Sequence, residues 1–392
     1  MKTISILRKN NMTTFFTLVI LSSTGFAVTD IILPILLLER YSIAQANINL
    51  FISGIGSIIS LFIIGYLIDK YSPIWVLKRF CVIYILSLSC IITFEVPFIV
   101  QMSLFLKGLV FPAFGISIRT LFSHLFDDFD ELDKINSSYF TLQYIAYIIV
   151  PLAFAKLHNY TDTKSFIFVD IIFVVIFLLF MKIQGVKYKI NNELPYEKMQ
   201  ILSGIRIIFK SQFLIGIISL LFVLNLTTES FYIIIPEIMN VKVYGYFFSV
   251  LSIGSVIGSY LYSIMAFKNH LGNVLIISNV IIALTIIFMG LHSGLEVVLI
   301  LSFVQGVYTS FIDIGSVSMR QKLVPKVEQG RVFSTTMVIN KLGVPLGNLL
   351  TGLLLSLNLS NKVLFIYGLI LIFTTCFVRL HNPYFKKDSI YE

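Results

Sequence analysis

Gly65-Tyr66-Leu67-Ile68-Asp69-Lys70-Tyr71-Ser72-Pro73-Ile74-Trp75-Val76-Leu77-Lys78-Arg79 is a short polar hinge between two long apolar runs, roughly residues 46–68 and 75–94. Asp69 and Lys70 stand where the first run ends, and Lys78 and Arg79 lie in the opening turns of the second. Two membrane helices joined this closely need a tight turn, a small residue such as Gly65 for close approach, and charges that remain in water. The hinge is thus read as the link between two consecutive membrane spans.

The rest of the chain supports that solvent. Of its 392 residues, 57% are hydrophobic and only 12% charged, against about 25% charged in ordinary soluble domains. The mean hydropathy is +0.92. So much apolar surface exceeds what one soluble core hides, and lipid is the alternative. Three cysteines make no disulfide framework. Cys81 and Cys90 fall about 13 Å apart along one helix, beyond the ~7 Å that a bridge spans. Lys2, Arg8 and Lys9 precede an apolar run at 13–37, too long for the roughly 7–15-residue core of a signal peptide. It is read as the first span. The wealth of Ile, Phe, Asn, Lys and Tyr suggests a bacterial source.

At about 20 apolar residues per span, twelve helices are predicted, at 13–37, 46–68, 75–94, 98–119, 137–157, 165–181, 213–236, 244–266, 273–291, 296–318, 334–356 and 362–380. With the N-terminus in the cytoplasm, cytoplasmic segments hold 22 of the 29 basic residues; Arg40, Lys156, Lys164, Lys242 and Lys362 lie outside, and Lys107 and Lys341 fall within spans. This asymmetry places both termini inside a plasma membrane. The net charge of +9 then reflects attraction to anionic lipid, not to nucleic acid. The basic stretch 182–212 is read as a cytoplasmic linker between six-helix halves, 1–181 and 213–392. An internal repeat agrees with that division. Ile55-Gly56-Ser57-Ile58-Ile59 recurs as Ile253-Gly254-Ser255-Val256-Ile257, and at the same shift Lys107-Gly108 falls on Gln305-Gly306.

The hinge resembles the loop between helices 2 and 3 of major facilitator superfamily transporters, a Gly-x-Leu-x-Asp-(Arg/Lys)-x-Gly-(Arg/Lys)-(Arg/Lys) pattern. Gly65, Leu67, Asp69 and Lys70 match; Ser72, Pro73 and Ile74 depart from it. Leu132-Asp133-Lys134-Ile135-Asn136 opening helix 5, Phe168-Val169-Asp170 opening helix 6, and Gly330-Arg331-Val332-Phe333-Ser334 opening helix 11 ahead of Leu342-Gly343-Val344-Pro345-Leu346-Gly347 are similar to the macrolide-efflux and enterobactin-exporter branch. The resemblance implies an all-α, twelve-helix, alternating-access exporter in two pseudo-symmetric halves, driven by the proton gradient. It also implies that Gly65, Asp69, Lys70 and Arg331 form a gating motif, with Asp69 engaging the start of helix 11. Two positions depart further: Leu104 stands where helix 4 of the family carries arginine, and Pro151 lacks the flanking glycines of the antiporter signature in helix 5.

Ionisable residues inside spans cost about 2.5–3.5 kcal/mol each on insertion scales, and so point to function. Five stand out: Asp30, Lys107, Glu229, Asp313 and Lys341. The first four fall on helices 1, 4, 7 and 10, which the resemblance places around a central cavity. Asp30, Glu229 and Lys107 lie at nearly one depth, which permits a carboxylate–ammonium contact; Asp313 and Lys341 form a candidate second pair. Asp30 or Glu229 is the proposed proton carrier, since burial favours the neutral carboxyl and a nearby ammonium the ionised one. The plainer reading is static interhelical pairing.

Tyr144, Tyr147, Tyr232 and Tyr308 are candidates for the cargo cavity, against simple packing. Gly54, Gly56, Gly65, Gly254, Gly258, Gly343 and Gly347 suggest close helix approach, with sliding of helices 2 and 11, or 5 and 8, as one use. Asp127, Asp128, Asp130, Glu131 and Asp133 are read as a solvated loop rather than an ion site, and the histidines show no metal-ligand spacing. No phosphate-cradling Gly-x-x-x-x-Gly-Lys-(Ser/Thr) loop occurs, so neither a metal nor a cofactor is expected, and no enzyme. The expected partners are a small-molecule cargo and membrane lipid, with the protein as a monomer. The alternatives are a solute:proton symporter on the same fold and a non-transporting immunity or scaffold protein.

Overall fold

The computed structural model describes the backbone of all residues except 1, 124–128, 184–200, 229–230, 239–240, 266–270, 292–293, 325, 358 and 386–392. Side chains are further excepted at 2–12, 15, 65–66, 69, 119–123, 129–140, 183, 201–204, 232, 237–238, 241–242, 263, 318, 321–323, 326–331, 333–334, 360–361 and 384.

In lipid, backbone groups must be satisfied within the segment, so spans are helical, and every regular element described here is a helix. The first half comprises α1 (Lys2–Arg40), α2 (Ile43–Tyr71), α3 (Pro73–Thr93), α4 (Pro97–Ser123), α5 (Phe129–Leu157) and α6 (Thr163–Ile183). The second comprises α7 (Ile201–Lys210), α8 (Gln212–Thr228), α9 (Phe231–Ile238), α10 (Val241–Met265), α11 (Leu271–Leu291), α12 (Leu295–Leu323), α13 (Lys326–Ser356) and α14 (Ser360–His381), then a 3-10 turn at Pro383–Phe385. Eleven stretches among the described residues are long and apolar enough to cross a membrane, one of them running over α8 and α9; a shorter apolar stretch, Thr141–Leu157, lies in α5. The protein is an all-α, multi-pass membrane protein. The chain falls into two compact units, residues 1–40 with 52–196, and 41–51 with 197–392. The first turns of α2 thus group with the second unit, where Asn47 meets Gly352 of α13.

Three elements differ from the sequence reading. Helix 5 begins at Phe129, so Asp130, Glu131 and Asp133 open a helix rather than lying in a loop; acidic residues favour that end of a helix dipole. Asp127 and Asp128 lie outside the described residues. Helix 11 begins at Lys326, which puts Arg331 inside it rather than before its start. Hydropathy marks only the apolar part of such helices, while their polar first turns continue the same hydrogen-bond ladder. Within the stretch read as a linker, α7 forms and packs against α8 and α13, burying Ile208.

Inside the first half, α1 packs against α4, α5 and α6, and α3 against α4 and α6. Arg40 closes α1 and reaches the exposed end of α3: its Nη1 donates to Ile91 O at 2.5 Å and its Nη2 to Ile92 O at 3.1 Å. A helix end inside apolar surroundings needs such a donor, because its last carbonyls have none of their own. At the same end of α1, Thr163 of α6 donates to Glu39 at 2.7 Å. Inside the second half, α10 packs against α12, α11 against α12 and α14, and α8 against α13 and α14.

Lipid tails are as apolar as leucine, so close backbone approach through small residues carries much of the packing. A Cβ at Gly56 or Gly108 would strike the backbone of α4 or α2, and one at Gly254 or Gly306 that of α12 or α10. Gly343 and Gly347 of α13 meet α8 in the same way. These glycines therefore serve close contacts within each half.

Candidate functional site

Asp30 lies ten residues before the end of α1 with neither carboxylate oxygen idle. Lys107 Nζ of α4 donates to Oδ1 at 3.3 Å, and the Tyr147 hydroxyl of α5 donates to Oδ2 at 2.6 Å. The side chains of Asp30 and Lys107 are 19% and 10% exposed, so the pair is sheltered yet not sealed. Each partner is aimed by its own helix. Gly108, next to Lys107, lets α4 press on Ser53 of α2, which fixes α4 on one side while Lys107 reaches α1. Tyr147 stands one turn before Pro151.

That last spacing recurs. Pro34 follows Asp30 by four residues, Pro112 follows Gly108, Pro236 follows Tyr232 and Pro345 follows Lys341, each proline inside a helix. A proline has no N–H for the carbonyl four residues earlier and crowds it. Asp30, Tyr147, Tyr232 and Lys341 therefore sit where the helical ladder is open, whereas Lys107, Asp170 and Asp313 do not. Residue types alone did not reveal this; the i, i+4 spacing to proline is the signal that would have.

A sequence profile described as Major Facilitator Superfamily matches residues 15–268 and 233–390. The chain belongs to the Major Facilitator Superfamily. A comparison with curated proteins gives no match. Among solved structures, a POT family transporter in complex with a thioalcohol-conjugated peptide superposes with a TM-score of 0.82 at 12% identity, over 96% of this chain and 97% of that one. The same family in complex with 5-aminolevulinic acid gives 0.81, also at 12% identity, over 96% and 97%. The nucleoside transporter NupG gives 0.76 at 14% identity, over 94% and 98%. At such identities the likeness is one of fold, and the fold is that of the superfamily's transporters.

Glu229 lies outside the described residues. Asp313 is exposed on α12 and Lys341 half-buried on α13. The field of Asp313 reaches Arg320, two turns along the same helix, which sequence reading missed. Arg320 is buried, and its Nε donates to Ser316 O at 3.0 Å. Burial pulls its guanidinium down to about 10, with Asp313 pushing the other way. Tyr144 is half-buried three residues before Tyr147. Tyr308 is half-buried too, edge-on to Phe311 with ring centroids 5.5 Å apart. Tyr232 is helical, in α9, with its side chain outside the described set. Among the described residues, no three His, Cys, Asp or Glu side chains gather as metal ligands would.

Of the gating motif, Gly65 and Asp69 lie in α2 and Arg331 in α13, their side chains undescribed. The turn itself is well defined. Lys70 lies 5.1 Å from the Tyr71 ring centre, Tyr71 stacks on Trp75 at 4.5 Å, and Arg79 lies 5.6 Å from the Trp75 ring. Ser72 caps α3, its Oγ accepting from Trp75 N at 3.3 Å, and Pro73 follows at the first helical position. Ser72 also adopts φ 102°, ψ 152°, a region nearly reserved for glycine. It occupies the position where the superfamily pattern has glycine, so the turn kept the family's backbone and lost the residue suited to it.

One acid escaped attention as a site. Asp170 of α6 is 0% exposed and meets Thr29 of α1 and Tyr84 of α3. Its partners are far away in sequence, and no local spacing announces them.

Proposed function

We propose that the chain is a secondary active transporter exporting a hydrophobic or amphipathic small molecule (a drug, macrolide-like compound or siderophore) at the expense of the proton gradient. The observation that carries this reading is the contact of Asp30 with Lys107 and Tyr147. A proton arriving on Asp30 cancels the ion pair and releases the Lys107 ammonium, so that protonation and the α1–α4 contact change together. Alternating access needs such a link between ion binding and helix packing. The 81–90% burial of these side chains, as the complement of their exposure, makes the electrostatic change larger than it is in water.

Export rests on the Gly330-to-Ser334 stretch and its resemblance to the efflux branch. The basic-residue asymmetry supports cytoplasmic termini in the plasma membrane, and with them a cytoplasmic α2–α3 turn. There Asp69 belongs to the gating motif that the family resemblance implies. The protein works as a monomer with no cofactor. A second reading, import of a polar solute with protons, is favoured by the fold likeness to transporters solved with a peptide and with 5-aminolevulinic acid.

The test is transport of amphipathic dyes, macrolides, dipeptides and nucleosides in energised vesicles of both orientations, with and without a protonophore. Export of an amphipathic compound, sensitive to the protonophore and lost in Asp30→Asn at normal expression, is the expected result. Concentrative uptake of a dipeptide or nucleoside establishes the second reading instead. Full gradient-driven transport by Asp30→Asn overturns the role of Asp30.

A further inference from the structure

The buried acid of α6 has a hydrogen-bond arrangement that the neutral carboxyl fills completely and the carboxylate does not. Three oxygens, Thr29 Oγ1, Tyr84 Oη and Asp170 Oδ2, touch one another in a closed triangle. Tyr84 lies 2.9 Å from Thr29 and 2.8 Å from Asp170, and Thr29 contacts the same Asp170 oxygen. Tyr84 has one hydroxyl proton and faces two acceptors. If Asp170 is ionised, two protons serve three contacts, and one side of the triangle is an unbridged approach of two oxygens. If Asp170 is neutral, three protons serve three contacts: Tyr84 donates to Thr29, Thr29 to Asp170, and the Asp170 O–H back to Tyr84. Each oxygen then donates once and accepts once.

The surroundings favour the same state. Asp170, Thr29 and Tyr84 are all fully buried, and aromatic rings close one side: Phe26 packs edge-on to Tyr84 at 5.5 Å and to Phe114 at 5.0 Å. The second oxygen, Oδ1, has no hydrogen-bond partner and fills the space left by Gly25, where a Cβ would come within 2.5 Å of it. An unpartnered carbonyl oxygen costs far less in such a place than half of a carboxylate charge. α6 packs chiefly on α1 and α3, with Phe114 of α4 and Phe154 of α5 also against its rings. Besides Tyr84, the charged groups whose fields reach Asp170 are Lys107 and Asp30. They are bonded to each other, so their fields largely cancel.

We propose that Asp170 is a second proton-binding carboxyl, separate from Asp30, and that it carries its proton in this conformation. Thr29 in the triangle and Asp30 in the ion pair are consecutive residues of α1, so breaking the Asp30–Lys107 contact leaves Asp170 in the field of an uncompensated ammonium and favours release of its proton. The resting protonation does not depend on the transport reading, since it is measurable without cargo or gradient.

Infrared difference spectroscopy of the purified protein in lipid nanodiscs at neutral pH tests it. Wild type should show a protonated-carboxyl C=O band that shifts on deuteration, disappears in Asp170→Asn and persists in Asp30→Asn. Asparagine keeps the shape of the neutral acid, so this variant should fold and melt near wild type. Should it not fold, Tyr84→Phe gives the second reading: loss of one triangle hydroxyl must move the same band. Loss of an ionised-carboxylate band in Asp170→Asn overturns the proposal, as does a C=O band that follows Asp30 or that ignores Tyr84→Phe.

Discussion

In the first half, a Cβ at Gly56 of α2 would run into Phe105 O of α4, and one at Gly108 into Ser53 O; in the second, a Cβ at Gly254 would meet Phe303 O and one at Gly306 would meet Leu251 O. Every partner is displaced by the same 198 residues (56 to 254, 105 to 303, 108 to 306, 53 to 251). The serine contacts follow suit: Ser57 Oγ donates to Gly108 O at 3.0 Å and Ser255 Oγ to Gly306 O at 3.2 Å. The polar chemistry beside these twin contacts does not match. Lys107, bonded to Asp30, becomes Gln305, buried with an unpartnered Oε1. The Thr29–Tyr84–Asp170 triangle becomes Thr227, Ile282 and Gly368, the last drawn against Ala283 and Ile287 of α11. The two halves share their backbone-level packing, where a Cβ is intolerable. They have parted at side chains, which can be exchanged one at a time; the charge handling described above belongs to the first half.

Giving the first half the residue of the second is the strongest way to break this contrast. Lys107→Gln leaves the Asp30 carboxylate without its ammonium. Removing one partner of a buried pair costs about 3–5 kcal/mol; the 19% exposure of Asp30 reduces that here, by admitting solvent. A lowered thermal midpoint in detergent is expected, with much of the loss recovered in Lys107→Gln/Asp30→Asn, where no charge is left unpaired. An unshifted midpoint in the single variant would show that the pair contributes nothing, and the halves would be alike after all.

The spans, and the shared depth of Asp30 and Lys107, were legible because hydropathy and helical rise are local quantities. Tyr147 was singled out only as an aromatic near a cavity; its bond to Asp30 depends on the α1–α5 packing. Asp170 was quoted only within a family resemblance, since its partners Thr29 and Tyr84 are 141 and 86 residues away. The α7 helix hid in a stretch whose basic residues read as linker. Arg331 was placed outside helix 11 because hydropathy fades before the helix does. The glycine pairs were visible as a repeat, but which helices they join required the packing: Gly56 with α4 and Gly343 with α8.

The α2–α3 turn allows a second, smaller perturbation. At the repeat shift Ser72 falls on His270, so the glycine of the superfamily pattern is absent from both halves. Ser72 bears φ 102° at a cost of order 1–3 kcal/mol, partly offset by its cap to Trp75 N. Serine-to-glycine at a cap loses only a few tenths of a kcal/mol. Ser72→Gly is therefore expected to stabilise the protein by about 1 kcal/mol, seen as a raised thermal midpoint. A lowered midpoint would mean that the side-chain cap outweighs the backbone conformation.

The finest test separates the twin serines. Pro112 stands four residues after Gly108 and has no N–H, so the Gly108 carbonyl has no donor from its own helix. Ser310 occupies the equivalent place in α12 and retains its N–H, which leaves the Gly306 carbonyl its usual donor. The distances follow this difference. Ser57 Oγ is nearer to Gly108 O (3.0 Å) than to Ser53 O in its own helix (3.3 Å), whereas Ser255 Oγ is nearer to its own Leu251 O (3.1 Å) than to Gly306 O (3.2 Å). A buried acceptor left without a partner costs about 1–3 kcal/mol, and the loss of a redundant bond less. Ser57→Ala should thus lower the thermal midpoint more than Ser255→Ala does, by the equivalent of about 1 kcal/mol. Restoring the donor with Pro112→Ala should reduce the effect of Ser57→Ala. Equal losses from the two serines, unaltered by Pro112→Ala, would mean that both hydroxyls serve only as small packing groups, and that the two contacts are equivalent in energy as well as in shape.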